Sequence, residues 1–356
     1  ARLAGDSIRN PEVLPSGYNL FQFDPRFVPT ASAYERGRII AESTISKYYE
    51  QHNKYPDSTG IILWGLETSK TQGETIGQIL AYLGVRLAKS KNVWEPAFEI
   101  IPAAELKRPR IDVVVNICGF FRDMFPNLID NLNIMFEKLA NLDEPEEMNF
   151  FKANCRKAYD ALLQQGYSKE EAYELSRSRI FGPEESKYGT GITSVIENKN
   201  WTEETQIAQL YIDNLKYVYS KNFRGKEIGG LFSLNLKSVE VVSQIRSSHE
   251  YEVTDLDHYY EFFGGFAKSV ETASGRRCEI YISDTTGEKI YVDNVEKAIS
   301  KGVRTRLLNP LWIDNMLEHK YHGAQKIEKN FENIIGLSAT TNRVEQWIYN
   351  SLHDKY

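Results

Sequence analysis

The chain has 356 residues, 41% of them apolar and 26% charged, which are ordinary globular proportions, and a formal net charge of −6. The acidic balance, with no Lys/Arg block, excludes a dedicated nucleic-acid binder. No apolar run reaches the roughly 18 residues needed to cross a bilayer. Cys118, Cys155 and Cys278 lie far apart without CxxC spacing, which reads as reduced thiols of a cytoplasmic protein and disfavours a structural zinc site. The length suggests two lobes or one large α/β unit with insertions. The opening "ARLAGDSIRN" lacks a starting Met and reads like the interior of something longer, so a fragment is expected.

Residues 1–30, with Pro11, Pro15, Pro25 and Pro29, read as an extended arm. Helical spacing runs from Ala33 to about Gln51 and ends before Pro56, so the first region is taken as 1–57. An α/β region follows over 58–143. "GIILWG" (60–65) is a short strand, and "TQGETIGQILAYLGV" a helix with Thr71 and Glu74 as a capping box. "AFEIIPAAEL" reads as a second strand and turn. "IDVVVNIC", apolar on both faces, reads as a central parallel strand, with a helix starting near Met124. This succession predicts a doubly wound, mostly parallel α/β sheet.

Over 144–235 the texture turns helical: "EEMNFFKANCRKAYDALLQQG", "SKEEAYELSRSRIF" capped by Ser168, and "TEETQIAQLYIDNLKYVYSK" read as a large helical insertion. Over 236–356 the strands return as "SVEVVSQIR" and "CEIYISD". A helical end follows, with breaks at Asn309–Pro310 and around Gly323 and Gly336.

Several stretches could carry chemistry. "GFFRDMFP" places Arg122 and Asp123 at the carboxyl end of a strand, where open α/β sheets bind ligands, although Asp123 could equally cap the next helix. "SSHEYEVTDLDHYYEFFGG" gathers His249, Glu250, Glu252, Asp255, Asp257, His258, Tyr259 and Tyr260, the side-chain types that a divalent-metal site or a proton relay needs. If it is helical, Asp255 and His258 share one face, whereas an ordinary acidic helix start is the plain alternative. His319 and His322 have the spacing of a metal pair but also suit a helix end. "RIFGPEESKYGTG" is a glycine-bearing loop. No GxxxxGK[ST], GxGxxG or HExxH occurs, so nucleotide hydrolysis has no local support.

"DPRFVPT", "LWGLETSKTQGETIGQIL", "RPRIDVVVNICGFFRDMFPNLID", "DEPEEMNF", "RIFGPEESKYGTG", "VTDLDHYYEFFGG", "RTRLLNPLWIDNMLEHKYHGA" and "ATTNRVEQWIY" follow one another in the order seen in a single family. In these stretches the chain resembles the large subunits of the ATP-dependent metal chelatases of tetrapyrrole synthesis: the cobaltochelatase large subunit and, slightly less, the magnesium chelatase H subunit. The resemblance covers about Pro15 to Tyr349 and implies the C-terminal portion of such a subunit. It also implies a tetrapyrrole substrate, Co2+ as the favoured metal substrate with Mg2+ as the alternative, and ATP hydrolysed by a separate AAA+ subunit working with an adaptor subunit. A His/Glu motif that the family carries earlier has no counterpart here. The glycines of "RIFGPEESKYGTG" and the stretch "DHYYEFFGG" lean to the cobalt side. A non-catalytic tetrapyrrole- or metal-binding homologue is the rival reading. On the resemblance, Asp255, His258 and Asp257 are expected to serve insertion, with Asp255 and His258 holding metal. Arg122, Asp123, His249 and Tyr188 are expected to bind substrate.

Overall fold

A computed structural model describes Leu14, residues 24–88 and residues 97–356. Most of the expected N-terminal arm lies outside these residues. The first long helix, Ala31–His52, starts where the Thr30 hydroxyl accepts the Ala33 N–H and ends on Asn53 in the left-handed region.

The strands are β1 (Ser58–Leu63), β2 (Val85–Ala88), β3 (Ala97–Ile100), β4 (Asp112–Ile117), β5 (Ile180–Gly182), β6 (Tyr217–Tyr219), β7 (Arg224–Glu227), β8 (Val239–Arg246), β9 (Glu279–Asp284) and β10 (Tyr291–Asn294). Eight of them form one sheet in the order β10-β9-β8-β1-β4-β5-β6-β7. The central pairs β8/β9, β8/β1, β1/β4 and β4/β5 are parallel, and the pairs toward both edges are antiparallel. Every residue of β1 and β4 is buried, as strands covered on both faces must be.

The order fixes where a ligand would sit. From β1 the chain steps to β4 and β5 on one side, then returns to β8 on the other side of β1 and continues to β9. Connections leaving β1 and β8 therefore diverge and open a crevice at their carboxyl ends.

Several sequence expectations change in place. "AFEI" joins β2 in a separate antiparallel pair rather than the main sheet. Residues 144–235 are helical as expected but also supply β5, β6 and β7. The helix expected to run through "YVYSK" stops at Leu215, and Val218 with Tyr219 buries in a short strand between β5 and β7 instead. Gly323 and Gly336 break nothing, because helix Lys320–Thr341 runs through both. A Cβ on Gly323 would lie 1.6 Å from the Met316 carbonyl oxygen, and one on Gly336 would lie 2.4 Å from the Tyr260 ring. These glycines mark close packing; the actual break falls at His319, between Pro310–Glu318 and the long helix. Thr71 and Glu74 do bond, but Thr71 belongs to the end of helix Gly65–Thr71 and the N-cap of the next helix is Gly73.

Candidate functional site

A cleft of about 290 Å3 opens at the predicted crevice. Trp64, Gly65 and Leu66 reach it from the end of β1, Cys118 and Phe120 from the end of β4, Tyr188 and Gly189 from the loop after β5, and His258, Glu261 and Phe262 from the segment after β8. Its walls are largely apolar and aromatic. Leu66 and Phe120 remain 71% and 46% exposed, although hydrophobic side chains of this size normally bury.

The glycine that opens "GFFRDMFP" makes the cleft possible. A Cβ on Gly119 would meet the Tyr188 ring at 2.6 Å and the Lys187 carbonyl oxygen at 2.8 Å, so only glycine lets the loop 183–191 dock beside the strand end. Arg122 lies in the helix that follows, Gly119–Met124, with its side chain only 10% exposed. It donates to the carbonyls of Glu184 (2.9 Å) and Lys187 (3.2 Å) and to Asp123 (2.8 Å), and sits over the Tyr188 ring. The Tyr188 hydroxyl donates to the second Asp123 oxygen at 2.7 Å. The Arg122 hydrogen bond holds the Asp123 carboxyl below the usual carboxylate range, and Asp123 in turn raises the Tyr188 phenol. The guanidinium expected to meet a substrate carboxylate is thus committed to holding the loop. Asp123 caps no helix: the Cys118 sulfur caps Gly119–Met124 by accepting the Phe121 N–H, and Pro126–Ala140 starts on proline with no side-chain cap.

The "VTDLDHYYEFFGG" segment splits in two. Asp255 ends a one-turn 3-10 helix, Val253–Asp255, where it accepts the Glu252 N–H and pairs with Arg306 at 3.0 Å; its side chain is 2% exposed. His258 precedes a π-helical turn, Tyr259–Gly264, a geometry frequent at functional sites. The expected Asp255–His258 face is therefore absent: Asp255 serves as a cap and ion-pair partner and is not among the residues that line the cleft. His249 is exposed on the loop after β8 and does not line the cleft either. His319 and His322 are exposed at the helix junction. Among the described residues no three His, Cys, Asp or Glu side chains gather closely enough to hold a metal.

His258 does line the cleft, edge-on to Trp64 with ring centroids 6.0 Å apart. Its Nδ1 lies 2.5 Å from Asp257. A carboxylate only accepts, so Nδ1 carries the proton and Nε2 keeps the lone pair, with no hydrogen-bond partner among the described residues. The hydrogen bond from Asp257 raises the His258 pKa and lowers that of Asp257. The result is a more basic imidazole at the mouth of an apolar cleft, able to accept a proton or a metal. Glu261, which the sequence reading did not single out, faces the same cleft. One of its oxygens accepts both the N–H (3.1 Å) and the hydroxyl (3.0 Å) of Thr190. The legible signal was its place three residues after His258; what it faces depended on the loop that Thr190 belongs to.

The chain matches the CobN/magnesium chelatase family along residues 1–356. It belongs to that family. An uncharacterized protein of Methanocaldococcus jannaschii is 35% identical over 356 residues, 100% of this chain and 29% of that protein. The aerobic cobaltochelatase subunit CobN of a Sinorhizobium species is 33% identical over 353 residues, 97% of this chain and 27% of that protein. The chloroplastic magnesium-chelatase subunit ChlH of Oryza sativa is also 33% identical, over 349 residues, 97% of this chain and 25% of that protein. The catalytic subunit of cobaltochelatase from Mycobacterium tuberculosis superposes with a TM-score of 0.87 at 29% identity, covering 93% of this chain and 28% of that one. The chain thus spans between a quarter and three-tenths of the CobN/magnesium chelatase relatives it matches. No described helix is long and apolar enough to cross a membrane.

Proposed function

We propose that this chain supplies the tetrapyrrole-facing cleft in the large subunit of an ATP-dependent chelatase, cytoplasmic in location, that inserts Co2+ into a corrin precursor of the hydrogenobyrinic acid a,c-diamide type. One observation carries the reading: an apolar, aromatic cleft at the topological switch point holds a histidine whose lone-pair nitrogen has no hydrogen-bond partner among the described residues. A flat apolar macrocycle would rest against Trp64, Phe120 and Phe262. His258 Nε2 would accept a proton from a pyrrole N–H, with Asp257 stabilising the imidazolium. Arg122 and Asp123 hold Tyr188 and its loop in place, as positioning residues. The incoming metal is a substrate, held weakly enough to be handed over.

A cleft of about 290 Å3 is smaller than a whole tetrapyrrole, so it grips part of the macrocycle, and other parts of the large subunit cover the rest. ATP hydrolysis falls to a partner AAA+ subunit with its adaptor. The glycines of "RIFGPEESKYGTG" favour cobalt. Mg2+ insertion into protoporphyrin IX is the second reading, because the CobN and ChlH relatives match at the same 33% identity. Insertion assayed with purified partner subunits, Co2+ against Mg2+ on each macrocycle, tests both. Turnover with Co2+ and the corrin precursor supports the first, turnover with Mg2+ and protoporphyrin IX supports the second, and turnover with neither overturns the proposal.

A further inference from the structure

Replacing the inner protons of a free-base porphyrin by a divalent ion is an exchange in which two protons leave, whereas a free-base corrin gives up one. Each N–H bond breaks with its electron pair left on nitrogen, that pair forms a nitrogen–metal bond, and neither metal nor ring changes oxidation state. His258 Nε2 takes one proton at a time. The second needs another acceptor in the same cleft, or a wait until the first has been passed on.

Resting on the second reading of function above, Mg2+ insertion into protoporphyrin IX, we propose that Glu261 is the second proton acceptor. It lines the cleft three positions after His258, and no Lys or Arg forms an ion pair with it among the described residues. The two Thr190 bonds both fall on one carboxylate oxygen, which leaves the other without a hydrogen-bond partner among the described residues. That arrangement orients the group without using up its basicity. Thr190 is itself anchored, since Asn214 donates to its carbonyl at 2.7 Å. His258 on its own segment carries charge toward Glu261, whereas burial pushes the nearby Tyr211 phenol well above its ordinary value and keeps it neutral. Once His258 has accepted the first proton, Glu261 is the acceptor that remains among the cleft-lining residues.

The test is Glu261→Gln in a large subunit carrying this sequence, assayed with its ATPase partners for metal insertion by the absorption change of the tetrapyrrole. Glutamine keeps the oxygen that accepts both Thr190 bonds, so the loop stays docked and only the proton acceptor is lost. The expected result is a fall in kcat of about 100-fold, with KM and tetrapyrrole affinity changed by less than about twofold. Glu261→Ala should be equally impaired and should regain activity with added formate, a small carboxylate that can occupy the vacated space. Wild-type turnover by Glu261→Gln overturns the proposal. So does a Glu261→Ala loss that formate does not relieve while the Gln variant stays active, because Glu261 would then only hold the loop. His258→Ala and Phe120→Ala separate the two levels. If both abolish insertion while Glu261→Gln does not, only the role of Glu261 fails; if neither affects binding or insertion, the cleft assignment fails with it.

Discussion

The two ends of the same parallel strands use charged residues in opposite ways. At the amino ends, Arg179 and Asp112 meet at 2.9 Å with both side chains wholly buried. Asn154 and the Val113 N–H satisfy the rest of Asp112, and the carbonyls of Ser176 and Ser178 satisfy the rest of Arg179. Arg110 is equally committed, with two bonds to Glu144 at 2.8 Å and others to the carbonyls of Leu83, Gly84 and Ile101. At the carboxyl ends the polar groups are only half tied. Asp257 holds one nitrogen of His258, Thr190 holds one oxygen of Glu261, and the other atom of each is left without a hydrogen-bond partner among the described residues. A closed network fixes the architecture, whereas a group oriented through one atom and open at the other can do chemistry.

The largest effect that would break this comparison is at the closed end. Arg179→Ala strands Asp112 as an uncompensated buried charge and should cost about 3–5 kcal/mol in urea unfolding. A loss below about 1 kcal/mol would mean that water reaches the pair and the end is not closed. At the open end, His258→Ala should cost no more than about 1 kcal/mol of stability, the worth of its pair with Asp257, while insertion by a subunit carrying this sequence falls about 100-fold, or about 2.7 kcal/mol in barrier. A lowered melting temperature with full activity per folded molecule would make His258 structural.

Gly119→Ala sits between the two, since it pushes a Cβ into Tyr188 and the Lys187 carbonyl. It should cost about 1–3 kcal/mol and weaken tetrapyrrole binding together with stability. A stability loss with binding intact would show that the loop does not shape the cleft.

The smallest effect is pH-dependent. Asp257 raises the His258 pKa above its ordinary 6.5, and a raised histidine contributes stability that is full below that value and lost as pH rises through the folded pKa. The hydrogen bond from His258 lowers Asp257 below its ordinary 3.8, and that contribution is present above 3.8 and lost as pH falls through the folded value. The pair therefore stabilises most between the two ordinary values. Because His258 is 56% exposed, water screens the pair to about 0.2–1 kcal/mol. Asp257→Asn should lower the urea midpoint at about pH 5.5 and leave it nearly unchanged at about pH 9. Equal shifts at both would assign Asp257 to packing.

Local pattern determined much of this protein. The apolar runs of β1, β4, β8 and β9, the Ser168 cap and the Asn309–Pro310 helix start were all legible, because each depends on residues a few positions apart. The carboxyl end of β4, announced by "GFFRDMFP", was legible too, and the cleft opens beside it. Tertiary structure alone decided the rest. Strand β6 is too short to stand out, β7 and β10 are short and more polar, and all three form because an existing sheet offers them an edge. Asp255 and Asp257 look alike in "TDLDH", yet Arg306, 51 residues later, pulls one into an ion pair and leaves the other beside His258. Glu261 became visible only when Thr190, 71 residues earlier, was folded against it. A side chain's chemistry depends on which of its atoms are already bonded, and those partners come from distant parts of the chain.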